Sequence, residues 1–264
     1  MTPRNWTISS ASWPPSTDAA WPPARLRRAL PFPLLLALAL GLPGRPAHAQ
    51  AAPFGGTVAL SSQLVDRGLP ITPGTPVLQG DLHWSPRPGW SLGVAASTEW
   101  HSPGRLAEAL AEVSRAWAVS DDWQVQGSLL YYDTPRRGRA RPYHRVEANL
   151  TWIYRDVLTL NLSAFRPTGV RDARTEPAAE ANLRWPLTRH LSLAAGLGVA
   201  GFQHAHGYYG AGETDYYRYG QAGLVFAAGR WRVELDRIAT DNAPYPRRGT
   251  GGLSPWLATV AWSF

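Results

Sequence analysis

The segment PWLATVAWSF, residues 255–264, alternates between two kinds of side chain with a period of two. One set is apolar and rich in aromatic rings: Trp256, Ala258, Val260, Trp262 and Phe264. The other set is mostly small or polar: Leu257, Thr259, Ala261 and Ser263. Because successive side chains of a β-strand point to opposite sides, the pattern predicts a strand with two chemically different faces.

The same alternation recurs along the chain from Gly56 onward, for example in WSLGVAASTEW (90–100) and HRVEANLTWIY (144–154). The sequence predicts twelve strands, near 56–65, 76–85, 89–100, 106–119, 122–133, 143–154, 157–166, 177–186, 190–203, 215–227, 230–240 and 254–264. The 25 glycines and 24 prolines disfavour long helices. The fold class is therefore predicted to be all-β.

The connections between these strands alternate in length along the chain: the odd-numbered ones are long and the even-numbered ones are short. Short connections fall at 86–88, 120–121, 155–156, 187–189 and 228–229, whereas long ones fall at 66–75, 101–105, 134–142, 167–176, 204–214 and 241–253. A β-sandwich does not require long and short connections to alternate. A transmembrane antiparallel up-and-down β-barrel does, because it has short turns at one end and long loops at the other. Strands of about ten residues also suit a tilted bilayer crossing.

Aromatic residues lie where the strands meet the connections. Those near short turns are Trp84, Trp90, Trp123, Trp152, Trp185 and Trp231, and those near long loops are Trp100, Tyr131 and Tyr143. Two such girdles are typical of a membrane barrel, so we expect Trp256, Val260 and Trp262 to face lipid. Arg115 is the exception, because the same register puts its charge on the lipid face unless it reaches the interface.

The N-terminal region predicts a targeting signal. Arg25, Arg27 and Arg28 precede an apolar run at 30–42, and Ala47-His48-Ala49 forms a small-x-small cleavage site. We expect cleavage after Ala49, so residues 1–49 comprise an N-terminal extension and signal peptide, and residues 50–264 the barrel. The first 24 residues are a long charged region or, in the favoured interpretation, precede the true start codon. A short membrane anchor is the alternative.

Charge and cysteine content exclude several classes of function. All 26 basic residues are arginine against 19 acidic residues, but residues 50–264 hold 21 and 18, a net charge of only +3. This scattered charge argues against a nucleic-acid partner. The chain has no cysteine, which excludes a disulfide scaffold and a thiolate zinc site. No metal or cofactor is expected, because His204-Ala205-His206 alone is more typical of a solvated loop.

Charged residues on the inner faces of the strands are candidates for lining a pore. They are Asp81, Glu99, Glu108, Glu112, Arg145, Glu147, Glu180, Arg184, Arg232, Glu234 and Asp236. Opposed charges in a lumen select solutes by size and sign, so the first hypothesis is a porin-like channel for small hydrophilic solutes or ions. The alternative is that these groups pair across the lumen and plug it.

A second hypothesis assigns the function to basic loops. Their arginines are Arg136, Arg137, Arg139, Arg141, Arg171, Arg174, Arg247 and Arg248. Arginine binds phosphate bidentately, so a structural or adhesive barrel would use them on lipopolysaccharide, whereas a pore would use them to attract anions. It is equally compatible with the sequence that these arginines are solvated loop charges that bind nothing. A lipid-modifying enzyme is the weakest hypothesis, because no G-x-S-x-G motif accompanies the histidines.

Several of these segments resemble a family of Gram-negative outer-membrane proteins, the TorF-type porins. The matches begin at Ser62, Arg67, Gly68, Gln79 and Gly80 and continue through Pro88-Gly89, Leu92-Gly93, Tyr131-Tyr132, Glu147, Glu180-Ala181-Asn182 and Asp215-Tyr216-Tyr217. Gln63 and Leu64 depart from the family pattern. The resemblance covers roughly 55–264 and implies an outer-membrane barrel and channel. It also implies that the terminal Phe264 is a signal for the barrel-assembly machinery.

Overall fold

The computed structural model describes residues 54–72, 74–135, 143–169, 173–203, 214–241 and 254–264. The predicted extension, signal peptide and cleavage site at 1–49 lie outside these residues. None of the described segments forms a helix with the length and hydropathy that a membrane crossing requires.

The described residues form strands throughout. In chain order they are β1 (Phe54–Ser61), β2 (Val65–Asp66), β3 (Leu69–Pro70), β4 (Val77–Trp84), β5 (Trp90–Glu99), β6 (Ser102–Ala118), β7 (Trp123–Thr134), β8 (Tyr143–Tyr154), β9 (Leu158–Thr168), β10 (Glu176–Pro186), β11 (Leu191–Gln203), β12 (Thr214–Ala228), β13 (Trp231–Asp241) and β14 (Trp256–Ser263). All except β2 and β3 join in one closed antiparallel barrel. The predicted twelve-strand, up-and-down barrel is confirmed.

The barrel closes between its first and last strands. β1 pairs with β14 from Thr57 opposite Ser263 to Ser61 opposite Thr259. Beyond this ladder, Gly56 N donates to Phe264 O at 3.2 Å and Phe264 N donates to Gly56 O at 3.0 Å. Because the barrel closes, its wall has no unpaired edge strand. The start of β1 and the end of β14 both lie at the end of the barrel that carries the short turns.

The outer face of the wall is mostly apolar and exposed, although Arg166 and Arg237 also lie on it. Its large side chains include Leu82, Trp84, Val94, Leu129, Trp185, Leu197, Trp231, Leu235, Trp256 and Val260. A continuous apolar surface of this kind is expected to contact lipid rather than water.

Arg115 lies on this outer face, opposite Trp90 in the β5–β6 ladder. Its guanidinium carbon lies 5.3 Å from the Trp90 ring centroid and 5.1 Å from that of Trp117. Both rings are near the short-turn end, so the charge is held against aromatic faces at the edge of the apolar band.

Two predicted boundaries at the loop end are wrong. β1 ends at Ser61 rather than at residue 65, because Leu64 and Val65 leave the wall and are buried inside the barrel. The predicted long loop at 101–105 is a tight turn, since β6 already begins at Ser102. A register irregularity after Ser97 takes up the additional residues, which the regular alternation of the sequence did not reveal.

Candidate functional site

The hairpin β2–β3 crosses the inside of the barrel. On one side, the Thr240 hydroxyl of β13 donates to Gly68 O at 2.7 Å. On the other side, Arg67 forms an ion pair with Glu147 of β8 and donates to Ser163 Oγ of β9 at 3.1 Å. β8 and β13 are separated by four strands of the wall. A short hairpin that contacts both must therefore span the lumen.

The turn of the hairpin is built from two residues in the left-handed region. Val65 pairs with Pro70 and Asp66 with Leu69, which leaves Arg67 (φ 48°) and Gly68 (φ 73°) as the loop. Positive φ at both central residues is the tight geometry that matches the twist of a hairpin. It directs the Arg67 side chain toward β8 and the Gly68 carbonyl toward β13.

Apolar side chains anchor the hairpin to the wall. Val65 is buried in a cluster with Phe165, Ala178, Ala200, Tyr217 and Tyr219, and Leu69 packs against it. Leu64, which is 0% exposed, packs with Val77 and Ala107. Burying one such side chain contributes about 1.5–3 kcal/mol, so the hairpin is docked rather than solvated.

Four charged groups form a continuous chain from the hairpin to β8. Arg145 Nη1 lies 2.5 Å from Asp66 Oδ2, and Arg145 Nε lies 3.4 Å from Glu147 Oε2. Glu147 also pairs with Arg67. The signs alternate, so each buried charge has an opposite neighbour, as burial requires. Burial alone would raise the pKa of Asp66, but Arg145 and Arg67 outweigh it and hold the pKa below its ordinary value.

Aromatic rings complete the surroundings of the two arginines. The Arg145 guanidinium carbon is 3.9 Å from the centroid of Tyr132, and that of Arg67 is 4.8 Å from the centroid of Phe165. The negative face of an aromatic ring attracts a cation most strongly where water is excluded. The inner wall therefore stabilises positive charge with both carboxylates and rings.

Strand registers place every predicted pore-lining residue on the inner face, because directly paired residues share a face. Glu147, for example, pairs with Leu130, which pairs with Glu112. The inward carboxylates are Asp81, Glu99, Glu108, Glu112, Glu147, Glu176, Glu180, Asp215, Glu234 and Asp236, and the inward arginines of the wall are Arg145, Arg184 and Arg232. Their role in lining a conducting pore stays a prediction.

Several inward groups pair locally rather than across the lumen. Arg232 Nε lies 3.2 Å from Glu234 Oε1 on the same strand. Glu180 accepts hydrogen bonds from Asn182 Nδ2 at 2.9 Å and from Tyr219 at 3.5 Å. The structure thus brings together Arg145 and Glu147 with the hairpin, connects Glu180 to the hairpin only through Tyr219, and leaves the Arg232–Glu234 pair elsewhere on the wall.

From Ser192 to Ala200 the inner face of β11 carries only small residues, namely Ser192, Ala194, Gly196, Gly198 and Ala200, and Phe202 follows them at the loop end. A Cβ on Gly198 would lie 2.3 Å from the Tyr219 ring, and one on Gly196 would lie 2.3 Å from Asn182 Oδ1. Side chains of β10 and β12 therefore lean across β11. This is why Tyr219 can reach both Glu180 and the hairpin.

Other predicted residues lie mostly outside the described part of the chain. This holds for all the named loop arginines except Arg174, and for His204 and His206. Within the described ranges, no group of three metal-ligating side chains comes together. Phe264 follows β14 at the seam, where its ring stacks on Trp262 at 5.2 Å.

Sequence reasoning missed Asp66 and Arg67, because residues 66–75 were expected to form an external loop. One signal could have revealed their position. The stretch QLVDRGLPI (63–71) contains four large aliphatic residues, whereas the other long connections are rich in Gly, Pro, Arg and His. A loop of such composition is expected to be buried.

No protein-family model matches the chain, and no curated protein matches it. Among solved structures, the chain is similar to the NanC porin at 11% identity and a TM-score of 0.48, covering 80% of this chain and 97% of the porin. It is similar to OmpF of Salmonella typhi in complex with daunomycin (8% identity, TM-score 0.41, 80% and 96% covered). It is also similar to the translocator domain of the autotransporter NalP from Neisseria meningitidis (11%, 0.37, 88% and 92%).

Proposed function

We propose that the protein is a porin-like channel of the outer membrane of a Gram-negative bacterium, which passes small hydrophilic solutes or ions. The observation that carries this proposal is the contrast between the two faces of one closed wall. The outer face exposes Leu, Val and Trp side chains, whereas the inner face buries Glu147, Glu234 and Asp236. Charged groups are tolerated inside because water or opposite charges compensate them.

The hairpin β2–β3 is the constriction of this channel. It occupies the loop end of the lumen through Val65, Arg67 and Leu69, while polar inward residues such as Arg232 and Glu234 continue toward the short-turn end. Opposite charges placed across a narrow passage select by size and sign. Permeation in this proposal depends on how firmly the hairpin is docked.

The remaining attributes belong to the same proposal. We infer kinship with the TorF-type porins, export by the signal at 1–49, and insertion by the barrel-assembly machinery at Phe264. The basic loops are proposed to contact lipopolysaccharide phosphates or to attract solutes. No enzymatic role, cofactor or metal is proposed.

Conductance in planar bilayers tests the channel directly. In one variant, residues 63–75 are replaced by a Gly-Ser linker of equal length, which removes the apolar and ionic anchors of the hairpin. Its single-channel conductance is expected to exceed that of the parent severalfold, because the constriction becomes a flexible chain. The matched control replaces residues 187–189 at the short-turn end with Gly-Ser and should retain the parent conductance.

A structural barrel with a closed lumen is the second candidate, and the docked hairpin favours it. It would leave both the parent and the linker variant without conductance, even though heat-modifiable gel mobility shows that both are folded. That outcome would reject the channel.

A further inference from the structure

The Arg67 side chain of the hairpin lies in a cation site that is formed by residues of the barrel wall. Glu147 is 1% exposed and pairs directly with Phe165 across β8 and β9, and Ser163 lies two residues before Phe165 on the same face. These three side chains supply a carboxylate, a ring face and a hydroxyl. None belongs to the hairpin, so the site remains on the wall when the hairpin moves.

This site requires a positive charge. Within the described residues, Glu147 Oε2 accepts no hydrogen bond, although Arg145 Nε lies 3.4 Å away, and Oε1 is the oxygen that pairs with Arg67. A buried carboxylate that loses one of its cations is strongly destabilised. Removing Arg67 would take away one of the two cations beside Glu147. The remaining neighbours would be the Asn149 amide, which donates to Glu147 Oε1 at 2.8 Å, and Arg145, whose guanidinium carbon lies 5.8 Å from the Phe165 centroid.

The rest of the inner wall also favours cations. Among the described inward positions, the carboxylates defined above outnumber the arginines, and they extend from Glu99 near the loop end to Asp81 near the short-turn end. Excess negative charge along a lumen raises the local concentration of cations. A solute with a positive group would therefore reach the Arg67 position along an attractive path.

We propose that Glu147, Ser163 and Phe165 form a binding site for the guanidinium group of a small cationic solute. Arg67 is the resting occupant of this site, and the solute displaces it. The inference rests on the proposed function, since it names the class of solute that the channel takes. The planar guanidinium matches a carboxylate and stacks on an aromatic ring, and this wall already binds one in that way.

Calorimetry on folded, detergent-solubilised protein tests the site without depending on conduction. The variant Arg67→Ala leaves the site free, and free arginine is the probe. Citrulline, which has a neutral urea group in place of guanidinium, is the matched control ligand. Arginine should bind Arg67→Ala at least tenfold more tightly than citrulline, and at least tenfold more tightly than it binds the parent, whose site is occupied.

A second substitution locates the binding. Adding Glu147→Gln to Arg67→Ala should abolish arginine binding, whereas adding Glu112→Gln, on the same inner face, should preserve it. Equal binding of arginine and citrulline, or binding that survives Glu147→Gln, would overturn the site. Should Arg67→Ala fail to fold, Arg67→Gln keeps the side-chain length without the charge and carries the same expectations. If the protein binds arginine as expected but shows no conductance in planar bilayers, the channel is rejected and the binding site is retained.

Discussion

Gly68 lies close to the side of the barrel formed by β12 and β13. A Cβ at this position would lie 2.5 Å from Thr240 Oγ1 and 2.6 Å from Tyr219 Cβ. Both distances are well inside van der Waals contact, so any side chain would push the turn away from β12 and β13. The hydrogen bond from Thr240 would be lost with it.

Gly68→Ala is therefore expected to loosen the hairpin and raise single-channel conductance. Gly74→Ala is its control, because Gly74 also has a positive φ of 59° but nothing lies within 4 Å of its added Cβ. A Cβ in the left-handed region costs about 1–2 kcal/mol at either position, so only the overlap distinguishes them. Equal conductance of the two variants would exclude the contact with the wall as the cause.

Individual inward residues could be predicted from sequence, but their partners could not. Arg232 and Glu234 are two residues apart, so the alternation of one strand is enough to place both inside the barrel. Asp66 and Arg145 are 79 residues apart, and their contact exists only because a loop turns inward. The period of a strand carries no information about the direction of the loop that follows it.

At the scale of the element, the hairpin depends on its ionic contacts as well as on its apolar anchors. The titratable groups that interact with Asp66 are Arg67 in the hairpin, Arg145 on β8, Glu108 on β6, and the tyrosines Tyr132 and Tyr219. Burial opposes the charge of Asp66, but the two arginines outweigh it, and the pKa lies below the ordinary 3.8. A carboxyl group with a lowered pKa stabilises the docked state only while it is ionised.

Acid is therefore expected to release the hairpin. The contribution of Asp66 is complete above its ordinary pKa of 3.8 and is lost as the pH falls below that value through the lowered pKa. Conductance should stay constant from neutral pH to about pH 5 and rise below about pH 4. Asp66→Asn should show the raised conductance at neutral pH and a weaker acid response. A parent channel whose conductance falls or stays constant in acid would contradict this prediction.

The strands of the wall could be predicted because their alternation is long and regular. The hairpin could not be predicted, because its strands are too short. β2 and β3 have two residues each, whereas β8 has twelve. Two residues cannot show a period. Only the aliphatic composition of 63–71 marked this connection, and composition predicts burial without predicting the partner.

At the scale of the whole molecule, the barrel closes through the pairing of β1 with β14, and Phe264 contributes to it. Phe264 continues the pairing of β14 with β1 through its two backbone hydrogen bonds to Gly56. Phe264 as a whole is 50% exposed, so its burial contributes less than the about 1.5–3 kcal/mol of a fully buried aromatic side chain. The folded barrel should tolerate its loss better than assembly does.

Deletion of Phe264 is expected to lower the outer-membrane yield in cells several-fold while changing the refolding yield in detergent little. The reason is that detergent refolding does not require recognition by the assembly machinery. Phe264→Trp keeps a terminal aromatic ring and should restore the cellular yield. Equal cellular yields for the deletion and the parent would remove the signal role and leave Phe264 as one more ring on the outer surface.

The bond between Thr240 and Gly68 joins residues 172 positions apart, and this separation sets an order of events in time. The hairpin can contact Arg145 and Glu147 once β8 has joined the wall, but Thr240 is in place only after β13 has joined it. Contacts between distant segments form slowly, because a long loop must close first. The contact between the hairpin and β13 is therefore expected to be among the last to form, when the cylinder is already nearly complete.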